Sequence, residues 1–307
     1  MRSITVMLLL FCAVSVTEAQ KTEKVVSMAN KILVAPQESP DGKTLAFTQE
    51  GYNGIFLMNG NREIKELTTD NASGFGFRWL NDNTGIVARS ARFIDIRREN
   101  SVVIYSLKGE NTLQLSEFSG RMTVMPSVST GGEICFVENG TLKSYNPVAK
   151  SSSLSAPKGI AAFIENDKIS VVSAGSAKRV IEPVKGQRCI NATLSPDGSR
   201  IAFEILGGNL YLINSDGSGL IDLGRGYRAS WSPDSRYISF MLSEDDGHFI
   251  TGSELYIVKA DGSGKKMITN STDKIEMNPS FSSDGKSIYF DNATDGAIYK
   301  MEVEAYK

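Results

Sequence analysis

The chain has 307 residues, of which 41% are hydrophobic and 22% are charged, and its formal net charge is −2. This composition is that of a globular protein with enough apolar surface to form a core. The near-neutral charge and the absence of a long basic run exclude a strong electrostatic attraction to nucleic acid or acidic membranes.

The first twenty residues have the layout of a secretory signal peptide. Arg2 gives a positive start, residues 4–16 are largely apolar, and the small residues Thr17 and Ala19 suit cleavage after Ala19. The apolar stretch is short for a membrane span, which makes an uncleaved anchor the weaker alternative. Cys12 follows a bulky Phe11, a poor context for lipid attachment. We therefore expect a signal peptide over residues 1–19 and a periplasmic or secreted protein that does not span the membrane after cleavage.

A unit made of a tight turn and an apolar strand recurs along the rest of the chain. Residues 39–47 read Ser-Pro-Asp-Gly-Lys-Thr-Leu-Ala-Phe, and close copies begin at Ser195, Ser232 and Ser282. Weaker copies begin at Leu80, Ser129 and Ile164. The third turn residues lie at positions 41, 82, 131, 166, 197, 234 and 284, about 40 residues apart, which is the period of a propeller blade.

The residues of each unit favour short strands joined by tight turns. Proline fixes φ near −65°, aspartate binds the local backbone, and glycine accepts a positive φ. A second apolar strand and a short closing strand follow in most units, such as residues 210–213 and 268–269. We predict an all-β fold over residues 20–307: one closed propeller with seven four-stranded blades favoured. Six blades are the alternative, if the weak unit over 160–190 is absorbed.

Ring closure is also predicted from the sequence. The last unit ends with its third strand at residues 298–301, and only six residues follow. A fourth strand must therefore come from elsewhere, and residues 24–27, Lys-Val-Val-Ser, are placed to supply it. Joining both ends of the chain in one sheet removes an exposed sheet edge.

The pattern resembles the repeat of TolB-type propellers. It is clearest over residues 229–264, with Trp-Ser-Pro-Asp followed by Leu-Tyr-Ile-Val-Lys-Ala-Asp-Gly-Ser-Gly. The chain is too short at its N-terminus for the additional domain of TolB itself. The resemblance implies a periplasmic propeller that binds proteins.

Motifs for catalysis are absent from the sequence. It has no Gly-x-Ser-x-Gly, no phosphate loop and no Cys-x-x-Cys. His248 is the single histidine, which excludes a metal site built from several histidines, as in propeller lyases that resemble the repeat. The acidic residues 244–246 beside it are the only weak candidate for cation binding. We predict no catalytic residue, metal or cofactor, and an enzyme is the minority hypothesis.

Two long segments between second and third strands, residues 89–100 and 243–251, are predicted as loops on the face that usually binds partners. The first combines arginines with Phe93 and Ile94, a composition typical of interfaces, although a solvated hairpin is an equal alternative. Polar residues where inner strands start are candidates to line the channel mouth. The candidate partner-binding residues are Arg78, Arg92, Arg97, Arg98, Asn191, Arg228 and Asn278.

Buried roles are predicted for several other residues. Trp79, Trp231 and Phe281 are expected between blades, and Cys135 and Cys189 are expected as free, buried thiols. The leading interpretation is a monomeric, secreted or periplasmic TolB-like scaffold that binds an envelope protein or peptide without catalysis. The alternative is a propeller that handles a glycan or small molecule, including a lyase or hydrolase with a site at the channel mouth.

Overall fold

The computed structural model describes residues 22–108, 112–121, 124–154 and 156–304. These residues form seven antiparallel sheets, the blades of a propeller, and one 3-10 turn at Glu50–Tyr52. The predicted signal peptide and Cys12 lie outside the described residues. None of the helical structure in the described ranges has the length and apolarity needed to cross a membrane.

The first three blades each contain four strands in chain order from the central channel outward. Blade 1 is formed by β2 (Leu33–Glu38), β3 (Thr44–Gln49), β4 (Ile55–Asn59) and β5 (Ile64–Thr68). Blade 2 is formed by β6 (Arg78–Trp79), β7 (Gly85–Ile94), β8 (Arg97–Ser106) and β9 (Leu113–Gln114). Blade 3 is formed by β10 (Ser127–Val128), β11 (Ile134–Glu138), β12 (Thr141–Asn146) and β13 (Ser151–Ser153).

The remaining blades complete the ring. Blade 4 is formed by β14 (Ile160–Glu165), β15 (Lys168–Ser173) and β16 (Arg179–Ile181). Blade 5 is formed by β17 (Cys189–Leu194), β18 (Arg200–Ile205), β19 (Leu210–Asn214) and β20 (Ile221–Asp222). Blade 6 is formed by β21 (Tyr227–Trp231), β22 (Tyr237–Asp245), β23 (Ile250–Lys259) and β24 (Lys266–Met267). Blade 7 is formed by β25 (Glu276–Phe281), β26 (Ser287–Asn292), β27 (Ala297–Glu302) and the N-terminal β1 (Thr22–Val26).

The N-terminal strand closes the ring, as predicted. Strand β1 pairs antiparallel with β27, so that Thr22 faces Met301 and Val26 faces Ile298. Val26 is buried in the same apolar cluster as Leu33 of blade 1. The first strand of the chain therefore joins the two blades that meet at the closure.

The predicted seven blades are confirmed, but the seventh turn marker joins different strands from the other six. Asn166 and Asp167 both have positive φ, 50° and 62°, and form a two-residue hairpin turn between Glu165 and Lys168. Asp167 O accepts a hydrogen bond from Cys189 N, at the start of the inner strand of blade 5 (2.8 Å). This turn therefore lies on the opposite face from the Ser-Pro-Asp-Gly turns. Strand β14 consequently runs in the opposite direction to the inner strands of blades 3 and 5.

The Ser-Pro-Asp-Gly turns are closed by their own side chains. Ser39 Oγ donates to Asp41 Oδ1 (2.7 Å) and accepts from Thr44 N (3.0 Å). The bond from Ser39 holds the pKa of Asp41 below its usual value. Gly42, at φ 71°, has the left-handed conformation that glycine allows. The same serine–aspartate bond occurs in three other blades, which explains why the motif is repeated so closely.

Aromatic side chains of the inner strands pack between blades, as predicted. The Trp79 indole donates to Gln37 O of blade 1 (3.1 Å), and Trp231 donates in the same way to Thr193 O of blade 5 (3.1 Å). Phe281 is buried in the cluster between blades 6 and 7. Each indole therefore both fills an interface and binds a carbonyl of the preceding blade. Cys135 and Cys189 are free and buried in separate clusters, Cys135 with Phe163 and Cys189 with Phe203.

Deletion of residues 21–30 is expected to destabilise the chain, because it removes β1 and leaves the edge of β27 unpaired. The free energy of unfolding should fall by about 3 kcal/mol or more, the scale of losing a buried core side chain. Chemical denaturation and size-exclusion chromatography measure the loss and the expected aggregation. The control Glu23→Gln removes only the exposed ion pair with Arg62 (2.7 Å) and should cost less than about 1 kcal/mol. An unchanged unfolding midpoint for the deletion would show that β1 does not hold the ring closed.

Candidate functional site

Two segments predicted as loops are instead long β-hairpins. Residues 89–100 belong to β7 and β8, which remain paired up to Ile94 and Arg97, and residues 243–251 extend β22 and β23 in the same way. Both hairpins join second and third strands. They project from the face opposite the Ser-Pro-Asp-Gly turns, which we call the upper face. For residues 89–100, a hairpin was one of the two alternatives that the sequence left open.

The blade 2 hairpin ends in an exposed apolar and basic tip. Ile96 is 97% exposed and Phe93 is 60% exposed. Arg92 is bound to Glu99 (2.8 Å) and lies 4.4 Å from the centre of the Phe118 ring. Arg92 therefore braces the hairpin, whereas the neighbouring Arg97 is exposed at its turn.

The blade 6 hairpin ends in an exposed apolar and acidic tip. Phe249 is 76% exposed. Its backbone N–H and that of His248 donate to Asp246 Oδ1 (2.8 and 2.9 Å), and these bonds hold the pKa of Asp246 below its usual value. Asp246 therefore shapes the turn that presents the phenylalanine, and the carboxylates of Glu244 and Asp245 are exposed beside it.

The inner strands contain a repeated kink near the upper face. The kink lies four residues before the first residue of each Ser-Pro-Asp-Gly turn or its equivalent. The chain has a positive φ at this position in five blades, at Ala35, Gly76, Asn191, Arg228 and Asn278. In blades 1, 5, 6 and 7 the pairing register shifts at this point, which marks a β-bulge. Two of the predicted site residues are asparagines, a residue type enriched at positive φ.

A buried carboxylate joins blades 5 and 6 at this kink. Glu204, on β18, accepts hydrogen bonds from Asn191 Nδ2 (3.0 Å) and from Arg228 N (2.8 Å). The side chain is buried, and this burial raises the pKa of Glu204. The carboxylate thus satisfies a backbone donor that the bulge leaves unpaired.

Asp291 plays the same role at the closure between blades 7 and 1. It accepts hydrogen bonds from Ala35 N (2.9 Å) and from Asn278 Nδ2 (3.1 Å). Desolvation raises the pKa of Asp291 to about 7, although these bonds and the charge of Arg228 act in the opposite direction. The charge of Arg228 opposes the rise in pKa at both carboxylates, although burial outweighs it.

Arg228 lies across the channel mouth. Its guanidinium carbon is 5.9 Å from the centre of the Phe75 ring, which belongs to the connection between blades 1 and 2. Beside it is a cleft of about 440 Å³ between the kinks of blades 5 and 6 and the blade 6 hairpin. The cleft is lined by residues that include Asn191, Glu204, Tyr227, Arg228, His248 and Phe249.

The structure divides the predicted site residues into three groups. Asn191, Arg228 and Asn278 come together at the channel mouth. Arg92, Arg97 and Arg98 lie on the blade 2 hairpin, and Arg78 is an exposed residue of β6, the inner strand of blade 2. Glu204 and Asp291 were not predicted from the sequence; they occupy the same position of the second strand, directly after Phe203 and Phe290. A carboxylate in an otherwise apolar strand was the available signal.

Comparisons with known proteins support the fold. No family model matches the chain, and no curated protein matches it in sequence. An oligogalacturonate lyase of Vibrio parahaemolyticus is similar in structure, with a TM-score of 0.62 and 15% identity over 95% of this chain and 96% of the other. A catalytically inactive virginiamycin B lyase of Staphylococcus aureus gives 0.60 and 15% over 92% and 99%. A protein described as a TolB of Agrobacterium tumefaciens gives 0.55 and 14% over 91% and 92%. At these identities the likeness is one of fold, and it includes a TolB-like propeller.

The buried Asp291 predicts a pH-dependent stability. The folded chain holds a proton on Asp291 between about pH 4, where an unfolded aspartate titrates, and about pH 7. The free energy of unfolding should therefore fall as pH rises through this window, by at most about 1.4 kcal/mol per pH unit, and level off above it. Denaturation of wild type and Asp291→Asn at several pH values measures the difference. The variant keeps an acceptor for Ala35 N, and its decline with pH should be shallower; equal slopes would contradict the assignment.

Proposed function

We propose that the chain is a secreted or periplasmic propeller that binds a protein or peptide partner on its upper face. The observation that carries this proposal is the pair of hairpins with exposed apolar tips, on blades 2 and 6. Exposed apolar side chains such as Ile96 and Phe249 contribute favourable free energy when a partner covers them. The hairpins are paired β-structure, so little conformational entropy is lost when they bind.

The charges of the two tips favour a partner with the opposite charge at each contact. Arg97 and Arg98 flank the apolar tip on blade 2, whereas Glu244, Asp245 and Asp246 flank the tip on blade 6. A protein segment that is acidic at one end, basic at the other and apolar between would complement both. The resemblance to TolB-type repeats and the structural similarity to a TolB support a protein-binding role for a monomeric chain in this compartment.

Loss of the apolar tips is expected to abolish this binding. Peptides selected from a random display library against the wild-type chain are titrated against Ile96→Asp and Phe249→Asp. Each substitution should weaken binding at least tenfold, because a central apolar contact contributes about 2 kcal/mol or more. The matched control is Val148→Asp, which also introduces an acid at an exposed apolar residue (81% exposed) but in the β12–β13 turn of the opposite face.

The charge-reversed variant with Arg97→Glu and Arg98→Glu provides a second measurement on the same peptides. Its affinity should fall most at low ionic strength, because exposed charges are screened by salt. Both residues lie outside the core, so the free energy of unfolding should stay within about 0.5 kcal/mol of wild type. If this variant and both tip variants bind with wild-type affinity, the hairpins are not part of the binding site.

The cleft beside Arg228 supports a second candidate, the recognition or cleavage of a glycan or small molecule. Its lining combines a cation, one amide, two carboxylates, the single histidine and aromatic side chains, and such convergent polar groups beside apolar ones are typical of ligand pockets. Incubation with oligogalacturonates, followed by mass spectrometry, tests for unsaturated products. Product formation that disappears in Arg228→Ala and persists in Ile96→Asp would favour this candidate over the peptide scaffold.

A further inference from the structure

Arg78 lies inside the central channel. Its neighbour Trp79 points into the interface between blades 1 and 2, where the indole is buried and bound to Gln37 O. Side chains alternate along a strand, so Arg78 points to the other side. Arg78 is exposed to solvent, and protein atoms near the guanidinium partly desolvate it and lower its pKa. Solvent contact combined with desolvation is what a water-accessible channel provides.

No carboxylate of the described residues compensates this charge. The ion pairs of the described chain leave Arg78 out, and its hydrogen bond runs from Nη1 to the carbonyl O of its own neighbour Phe77 (3.1 Å). Desolvation is the only influence on its pKa, with no contribution from a nearby acid. A guanidinium has five N–H donors, so most of its binding capacity is turned toward the channel.

The equivalent residues of other blades are neutral and polar. Two residues before the first residue of the turn, the chain has Gln37, Ser127, Thr193, Ser230 and Ser280, and all five are partly buried. Their hydroxyl and amide groups can donate hydrogen bonds but carry no negative charge. The channel at this level therefore combines one cation with a set of neutral donors.

We propose that the central channel holds one small oxyanion, a carboxylate or an inorganic anion such as sulfate or phosphate, bound by Arg78. The surrounding protein removes part of the water around this exposed guanidinium, so an anion that replaces the water interacts with it more strongly than it would at an open surface. The planar fork of a guanidinium binds two oxygens of such an anion at once, and the hydroxyls at the same level can satisfy the remaining oxygens. The site lies within the channel and is independent of the hairpin tips of the upper face.

The test is isothermal titration of the purified chain, in Tris-chloride buffer, with sodium formate, sodium sulfate and sodium phosphate. Wild type should bind at least one of these oxyanions saturably, at one equivalent per chain. Arg78→Gln should bind it at least tenfold more weakly, and glutamine is tolerated at this position because Gln37 occupies it in blade 1. The control Arg62→Gln removes an exposed arginine of the β4–β5 turn and should bind like wild type.

A second variant and a thermal measurement keep the outcome decisive. Arg78→Lys retains the charge but loses the fork, and its affinity should be lower than that of wild type. Sulfate and phosphate stabilise most proteins by exclusion from their surface, so only the rise in unfolding temperature that exceeds that of Arg78→Gln counts as site binding. Absence of saturable binding by wild type, or equal affinity in the arginine, glutamine and lysine forms, would overturn the proposal.

Discussion

The ring depends on one junction, where blade 7 meets blade 1 and the chain closes on itself. Three separate contacts hold it: the pairing of β1 with β27, the bonds of Glu38 to Ser283 N (2.7 Å) and the Tyr289 hydroxyl (2.8 Å), and the bond of Ala35 N to Asp291 (2.9 Å). Every other junction joins blades that follow each other in the chain, whereas this one must bring together residues about 250 apart in sequence. Closing the ring lowers the conformational entropy of the chain, and burial of the apolar cluster shared by blades 7 and 1 offsets this loss.

The kinks near the upper face link this closure to the candidate site. A bulge leaves a backbone N–H without its strand partner, and in three successive junctions the preceding blade supplies an acceptor at one position. The acceptor is Glu204 for Arg228 N, the Met241 sulfur for Asn278 N (3.4 Å), and Asp291 for Ala35 N. The residues that hold the blades together are thus the residues that surround the channel mouth. Glu204 and Asp291 therefore serve the structure by accepting these N–H groups, and this role also places them near Arg228.

Most of the fold could be predicted from the sequence, because the turns repeat a local chemistry. Ser39 and Asp41 close their turn through bonds over five residues, so the motif alone fixes where two strands meet. Blade 4 shows the limit: its Asn166–Asp167 turn resembles the others in composition but is a hairpin turn on the other face. The channel-mouth residues Asn191, Arg228 and Asn278 were found by alignment of the repeats. Glu204 and Asp291 were missed because the backbone N–H that each one accepts, from Arg228 or Ala35, lies on the next blade, a relation that the spacing within one repeat does not contain.

Charge is distributed unevenly along the axis of the propeller. At the mouth, Arg228 lies near two buried carboxylates, and Asp291 is protonated over part of the physiological pH range because burial outweighs the attraction of the arginine. No carboxylate contributes to the pKa of Arg78 on β6, and the equivalent residues of five other blades are neutral. The chain carries a net charge of −2, so this positive centre is local and not a reflection of overall composition. Because protein walls weaken the screening by water, its field is strongest inside the channel, where an anion would be attracted past the mouth.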